Sequence, residues 1–405
     1  MEILCALQEN EDSLSQTLTA GFYFLIKKII PGKMKEIVRP GLEFGFRLFA
    51  EVSRKESERN ILISPLSVSL ALSIVYNGAR GKTRQAIAKT LQVDEMKPDE
   101  LNQGNASLLA SLTDPDPRVR IIVANALWAD KEVRFKQTFL TNTMLYGAEI
   151  ANLDFHSSDA VDAINNWVSR KTHGRIPAIA DESVLGAVLM ILNAVYFKGT
   201  WKRAFEKSDT REETFILPGG VEKKHPMMFQ RGLYRYHRGR GFQAVSLPYG
   251  YGRVSMYVFL PDGELDGFYK TLGLKNWNRW MPRFRKMEGT VGMPRFKMEY
   301  SADLEEVLMA MGMGVAFDEK RADFGDMAKD IRIWIDKIRH KTYLRVDERG
   351  SEAAAATEVV LEKEEPPEET FTMIVNRPFF LAIRDNETGA MLFMGSITDP
   401  EDVEA

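Results

Sequence analysis

A single mixed α+β domain is the fold class that this 405-residue sequence predicts. Three observations predict it. Leu66 to Asn77 is apolar nearly all round (Leu66, Val68, Leu70, Ala71, Leu72, Ile74, Val75), the pattern of a helix buried at the centre of a large core. Ile121-Ile-Val-Ala-Asn-Ala-Leu-Trp128 and Leu189-Met-Ile-Leu-Asn-Ala-Val-Tyr-Phe197 are continuous apolar runs of strand length, as interior strands are. No repeat period and no Pro/Gly/Ser linker divides the chain, whose 44% hydrophobic content suffices for one large core.

Residues 1–40 read as an N-terminal extension and 41–405 as the domain. Phe22 to Ile30 is apolar but broken by Lys27 and Lys28, and it falls far short of the ~20 residues that span a bilayer. Glu2, Glu9, Glu11 and Asp12 stand where a signal peptide would be basic, so an amphipathic extension and a cytoplasmic location are the expectation, with Met34 as an alternative start of the folded chain. From Pro40, Leu42, Phe46, Phe49 and Val52 recur at helical spacing and give a first helix with one buried stripe. Ser64 then serves as N-cap and Pro65 takes the first helical position, where a missing N–H costs nothing, with Gly78 closing that helix. Thr83 reads as the N-cap of a helix through Ala86, Ile87 and Leu91. Asn165-Asn-Trp-Val168 lies on a helix, and another is expected around Leu304 to Met311. Further strands are expected at Phe242–Leu247, Val254–Leu260, Thr290–Phe296, Tyr343–Val346 and Phe379–Ile383, with turns at Pro248-Tyr-Gly-Tyr-Gly252 and Pro261-Asp-Gly263.

Composition narrows the chemistry. A formal net charge of −3 gives no reason to expect nucleic acid or an anionic membrane as partner. One cysteine, Cys5, rules out an internal disulfide and any Cys-based zinc site. The histidines His156, His173, His225, His237 and His340 show no metal-ligand spacing, so no metal and no cofactor is expected. Gly81-Lys82-Thr83 resembles the end of a phosphate loop, but Tyr76 stands where that motif needs its first glycine. No Gly-x-Ser-x-Gly, His-Glu-x-x-His or Cys-x-x-Cys pattern supports a hydrolase, so the chain does not read as an enzyme. Asn105-Ala-Ser and Asn386-Glu-Thr match glycan-acceptor spacing, which matters only in a secreted chain.

The stretch from Glu348 to Pro378 says two things about its own conformation. Four alanines after Glu352 favour a helix, while Glu-Glu-Pro-Pro-Glu-Glu around Pro366 favours a solvated loop. Read with a period of two, Ser351, Ala353, Ala355, Thr357, Val359 and Leu361 share one uncharged face, and Glu352, Glu358 and Glu362 fall on the other. The segment can be loop in one state and strand in another. A connection of about thirty residues between strand-like runs is uncommon in a compact domain and is usually functional.

This arrangement resembles the hinge and reactive centre loop of the serpins. The resemblance rests on Glu348-x-Gly350-Ser-Glu-Ala-Ala-Ala-Ala-Thr357 and on the downstream Asn376-Arg-Pro-Phe-Phe380 and Leu392-Phe-Met-Gly-Ser-Ile-Thr-Asp-Pro400. Further motifs follow the family's order: Asn60-Ile-Leu-Ile-Ser-Pro-Leu-Ser67, Asn77-Gly-Ala-Arg-Gly-Lys-Thr83, Asn193-Ala-Val-Tyr-Phe-Lys-Gly-Thr-Trp201, Pro294-Arg-Phe296 and Ala322-Asp-Phe324. The resemblance runs from about residue 42 to Pro400. It implies a serpin fold: a large central mixed sheet, two further sheets, eight or nine helices and an exposed reactive centre loop at about residues 348–375.

What the resemblance implies for function is inhibition of a serine, and by extension cysteine, endopeptidase by a monomer that acts as a suicide substrate. The protease attacks the loop, forms a covalent acyl complex, and the cleaved loop then inserts into the central sheet. Loop insertion in this family is a known case of strand addition and released strain. The implied hinge is Glu348, Gly350, Ser351, Glu352, Ala353, Ala354, Ala355, Ala356 and Thr357. Ser64, Ser67, Asn193 and His340 are the implied polar shutter beneath the central strands, and Trp201 and Arg295, with Glu348, mark the breach where insertion begins. The residues themselves suit insertion: the inward face is small and then apolar, no proline interrupts Glu348 to Glu365, and Gly350 gives the hinge freedom. Counting from the hinge, the scissile bond is Glu364–Glu365, or Lys363–Glu364 one step earlier. A glutamate-selective protease suits the first and a trypsin-like one the second, while a cut after Val360 or Leu361 shortens the strand available for translocation. A serpin-fold carrier or chaperone that traps no protease is the alternative, and the hinge composition argues against it.

Overall fold

A computed structural model describes residues 31–403, apart from 57, 114, 330 and 352–369. Among the described residues there are nine α-helices and three sheets, as the resemblance implies. The largest sheet has nine strands, the second is a six-stranded mixed sheet, and the third pairs only Arg134–Phe135 with Ala328–Lys329.

The first helix, α1 (Pro31–Lys55), buries Leu42, Phe46, Phe49 and Val52 as the spacing predicts. It starts upstream of Pro40, which lies inside it, and it also buries Ile37. The next helix, α2 (Pro65–Gly78), is capped by Ser64, whose Oγ accepts the Ser67 backbone N–H at 3.4 Å. All its residues except Ser69 are buried, so it is the central helix that its all-round apolar character predicts. Thr83 is not an N-cap. Arg80 holds that position, and Thr83 lies buried inside helix Gly81–Leu91, its Oγ1 accepting the Asp323 N–H at 3.0 Å.

The strand expected over Thr290–Phe296 is the meeting of two strands in different sheets. Arg285–Pro294 belongs to the nine-stranded sheet and Phe296–Asp303 to the six-stranded one, with Arg295 at the crossing. The helix expected around Leu304–Met311 is one α-turn, Glu305–Leu308, running into a wider turn over Met309–Met313.

Six strands make the sheet that carries the implied shutter: β1 (Val119–Asp130), β2 (Glu149–Leu153), β3 (Leu189–Thr200), β4 (Phe296–Asp303), β5 (Lys337–Val346) and β6 (Gly350–Ser351). Their order is β4-β5-β3-β1-β2, with β6 paired to β3. One face of the sheet meets α2 and the main core. On the other face lies α3 (Asp159–Lys171), with a separate apolar cluster built around Trp167, Ile164 and Trp128.

Candidate functional site

The site is a seam in the six-stranded sheet. β5 runs parallel to β3 from Lys337 opposite Met190 to Tyr343 opposite Tyr196. Beyond Tyr196 the partner of β3 changes: Gly199 pairs with Ser351 and Thr200 with Gly350, antiparallel. The chain leaves β5 at Val346, turns through a reciprocal pair of hydrogen bonds between Asp347 and Gly350 (2.8 and 3.1 Å), and re-enters the sheet as β6. Gly350 sits at φ +140°, and a Cβ there would lie 2.2 Å from the Gly199 carbonyl oxygen. Only glycine fits that conformation and that approach.

The residues expected at the breach are brought together around this turn. The Trp201 backbone N–H donates to Arg349 O and its Nε1–H to Asp347 O, both at 2.9 Å. The buried Glu348 carboxylate accepts from Thr210 Oγ1 at 2.7 Å and lies 3.5 Å from Arg295 Nη1, while Arg295 Nη2 is 3.0 Å from Asp402. The Glu348 carbonyl accepts the Phe205 N–H at 2.8 Å. Trp201 stacks on Tyr249 with ring centroids 4.2 Å apart, and the Tyr249 hydroxyl hydrogen-bonds Ser351 Oγ at 2.8 Å. Burial pushes the Tyr249 phenol far above its ordinary pKa, so it stays neutral. Thr210, Tyr249 and Asp402 were not expected here from the sequence.

The four residues expected at the shutter also converge. Register places Asn125 of β1, Asn193 of β3 and His340 of β5 in one row across the sheet, above the N-terminus of α2. The Ser64 backbone N–H donates to His340 Nε2 at 3.0 Å. That nitrogen therefore carries no proton, and Nδ1–H donates to Asn193 Oδ1. Asn193 Nδ2 in turn donates to Ser67 Oγ and to Asn125 Oδ1. Next along β5, Thr342 Oγ1 donates to Leu62 O at 2.8 Å. Every hydrogen bond in the row crosses between elements, and parting β3 from β5 breaks the one between His340 and Asn193.

Burial drives the His340 pKa down from 6.5 to about 3, against the opposing effect of the Asn193 bond. A second proton would also face the Ser64 N–H. The unfolded chain takes up that proton first, so this contribution to stability is complete above pH 6.5 and is lost as pH falls toward 3. The loss reaches about 1.4 kcal/mol per pH unit. Urea unfolding between pH 6.5 and 4.5 should be steeper in pH for the wild type than for His340→Asn, by up to one proton. Equal slopes would mean that His340 is charged in the fold.

Of the implied hinge, Glu348, Gly350 and Ser351 are described. Glu352 to Thr357 and the scissile candidates Lys363, Glu364 and Glu365 lie outside the described residues. Both glycan-acceptor asparagines point their amides inward: Asn105 is buried and donates to Ser73 Oγ at 3.1 Å, and Asn386 donates to Gly252 O and Ser255 Oγ.

The model of the serpin (serine protease inhibitor) family matches residues 41–400. An uncharacterized serpin-like protein of Thermococcus kodakarensis is 35% identical over 96% of this chain and 91% of its own length. The human leukocyte elastase inhibitor is 33% identical over 91% of this chain and all of its own. Among solved structures, human thyroxine-binding globulin complexed with thyroxine superposes with a TM-score of 0.84 at 26% identity, covering 92% of this chain and all of that one. A family model that spans residues 41–400 and relatives 33–35% identical over nearly the whole chain show that the chain belongs to the serpin family.

Proposed function

We propose that this chain inhibits a serine endopeptidase as a suicide substrate, its loop inserting at the seam between β3 and β5. The observation that carries the reading is β6: Gly350 and Ser351 already pair with Thr200 and Gly199. Continued down β3 in an inserted strand, the same register would set Ala355 opposite Val195, Thr357 opposite Asn193 and Leu361 opposite Leu189, the first residue of β3. The pairing of β3 with β5 keeps Asn193 level with His340, so Thr357 would enter the shutter row between them. Ser351, Ala353, Ala355, Thr357, Val359 and Leu361 would face α2, so no charge would enter the core on that side of the sheet. On the other face, Glu352 would lie between Lys198 and Arg345, and Glu358 beside Arg339.

The chemistry is the protease's. Its serine oxygen attacks the scissile carbonyl, the new amine leaves with the downstream segment, and the ester remains on the upstream one. An inserted strand matched to the twelve residues of β3 spans roughly 40 Å, which carries the esterified residue past the far end of the sheet before water can attack. Glu364 or Lys363 lies just beyond Leu361, so either cut uses the whole of β3.

The test is incubation with trypsin-like, elastase-like, subtilisin-like and glutamate-specific proteases, read on denaturing gels with the cut mapped by mass spectrometry. A denaturant-resistant complex supports trapping, and the fragment mass chooses between Lys363 and Glu364. Clean cleavage without a complex and without a gain in thermal stability would instead favour a carrier, the kind of role that the thyroxine-bound neighbour illustrates.

A further inference from the structure

We propose that Arg339 is a latch that holds the β3–β5 seam closed, an inference that rests on the insertion reading above. The segment that follows α3 crosses the outer face of the sheet. On one side Ile176, Ile179 and Val184 join the apolar cluster formed with Ala126 of β1 and Leu192 of β3. Asn165 of α3 fixes the same segment: its Oδ1 accepts the N–H groups of Ile179 and Ala180 at 2.8 and 2.9 Å, and its Nδ2 donates to Ala180 O at 3.0 Å. On the other side stands Arg339 of β5, only 7% exposed. Its Nη1 donates to Ile179 O at 3.1 Å, and its Nη2 donates to Ser183 Oγ at 2.6 Å and Asp181 Oδ1 at 3.1 Å. The segment is thus anchored to β1 and β3 through its apolar side chains, and to β5 through the three bonds of the Arg339 guanidinium, the Lys341 Nζ bond to Ala178 O at 2.9 Å and the flank of Tyr343.

Opening the seam for a new strand moves β5 away from β3 by about 4.8 Å. Bonds near 3 Å cannot follow that displacement while Asn165 and the apolar cluster hold the segment in place, so the three Arg339 bonds must break. The fourth bond, Arg339 Nε to Asp303 of the neighbouring β4 at 3.0 Å, lies on the side that moves with β5 and resists nothing. Charge-assisted hydrogen bonds of a nearly buried guanidinium, broken before insertion brings any compensating contact, raise the barrier to opening. Arg339 therefore acts on the rate of opening through the segment it holds.

The experiment uses the full, uncleaved chain and a synthetic peptide with the sequence of residues 351–362, whose uptake as a free strand reports opening of the seam. Arg339→Gln should take up the peptide about tenfold faster than the wild type, the loss of roughly one such interaction. The pair Asp181→Asn with Ser183→Ala, which weakens two of the three contacts from the exposed side and leaves Arg339 and its bond to Ile179 O in place, should also accelerate uptake, by less. Asp303→Asn should stay within about twofold of the wild type. Uptake by Arg339→Gln no faster than wild type, or equal acceleration by Asp303→Asn, overturns the latch. A parallel measurement separates it from the insertion reading: cleaved wild-type protein that gains no thermal stability overturns both, whereas a gain without the Arg339 effect overturns the latch alone.

Discussion

Under the proposed insertion mechanism, arginine in place of Ala355 should turn the chain from an inhibitor into a substrate, raising the number of molecules consumed per protease trapped by at least about tenfold. In the proposed inserted strand, the register of Gly350 and Ser351 continued along β3 would set Ala355 opposite Val195, and the pairing of β3 with β5 would make it level with Thr342. Both are almost fully buried, at 1% and 0% exposure, and Thr342 already spends its hydroxyl on Leu62 O. No carboxylate faces that position from β3 or β5. A guanidinium there would enter the core unpaired, at a cost of several kcal/mol, and insertion would stall while the acyl ester hydrolyses. Glu352→Gln changes the opposite face and should leave the stoichiometry within about twofold. Stoichiometry is read by titrating a fixed amount of protease and counting complex against cleaved chain on denaturing gels. Trapping by Ala355→Arg at the wild-type ratio would mean that Ala355 does not face inward, and the register drawn from Gly350 and Ser351 would fall with it.

Much of this geometry was legible in the sequence because burial and spacing carry it. The all-round apolar run after Pro65 could only be a central helix, and the apolar runs ending at Trp128 and Phe197 could only be interior strands. The shutter residues came from motif resemblance, yet their partner Asn125 had a signal of its own. Asn125 and Asn193 are each a lone polar residue in an otherwise apolar interior strand, and such residues need each other or something equivalent. What failed was information held by tertiary contact. Thr83 looks like a cap by composition but spends its hydroxyl on Asp323, far away in sequence. The strand Glu222–Gly239 stayed hidden because Lys223, Lys224, Arg231, Arg235 and Arg238 make it read as surface chain. The joint at Arg295 was invisible for the same reason: local alternation runs on through it, although the chain changes sheets there. Thr210, Tyr249 and Asp402 reach the breach from three distant parts of the chain, and no local pattern marks them.

The second large effect is expected at Gly350. Valine there should abolish the foothold from which insertion proceeds, again raising the stoichiometry about tenfold or more. The reason lies in the backbone. At φ +140° a β-branched residue is strongly disfavoured, and its Cβ would stand 2.2 Å from Gly199 O, 2.7 Å from Thr200 Cα and 2.8 Å from Trp201 N. None of these is a flexible side-chain tip that can move aside. The chain must therefore leave β3, and with it go the pairing of Ser351 with Gly199, the Ser351–Tyr249 hydrogen bond and the Trp201 N–H bond to Arg349 O. A loop detached at this point would have to nucleate entry while the seven-pair ladder from Lys337–Met190 to Tyr343–Tyr196 is still closed. Even Gly350→Ala carries the same Cβ contact, so it should show the same defect in milder form. The readout is the stoichiometry together with the thermal stability of the loop-cleaved protein, which should rise on cleavage in the wild type and rise little in Gly350→Val. If Gly350→Val instead traps protease at the wild-type ratio and gains the full stability, then insertion starts somewhere other than β6, and the two residues already in the sheet are a resting contact only.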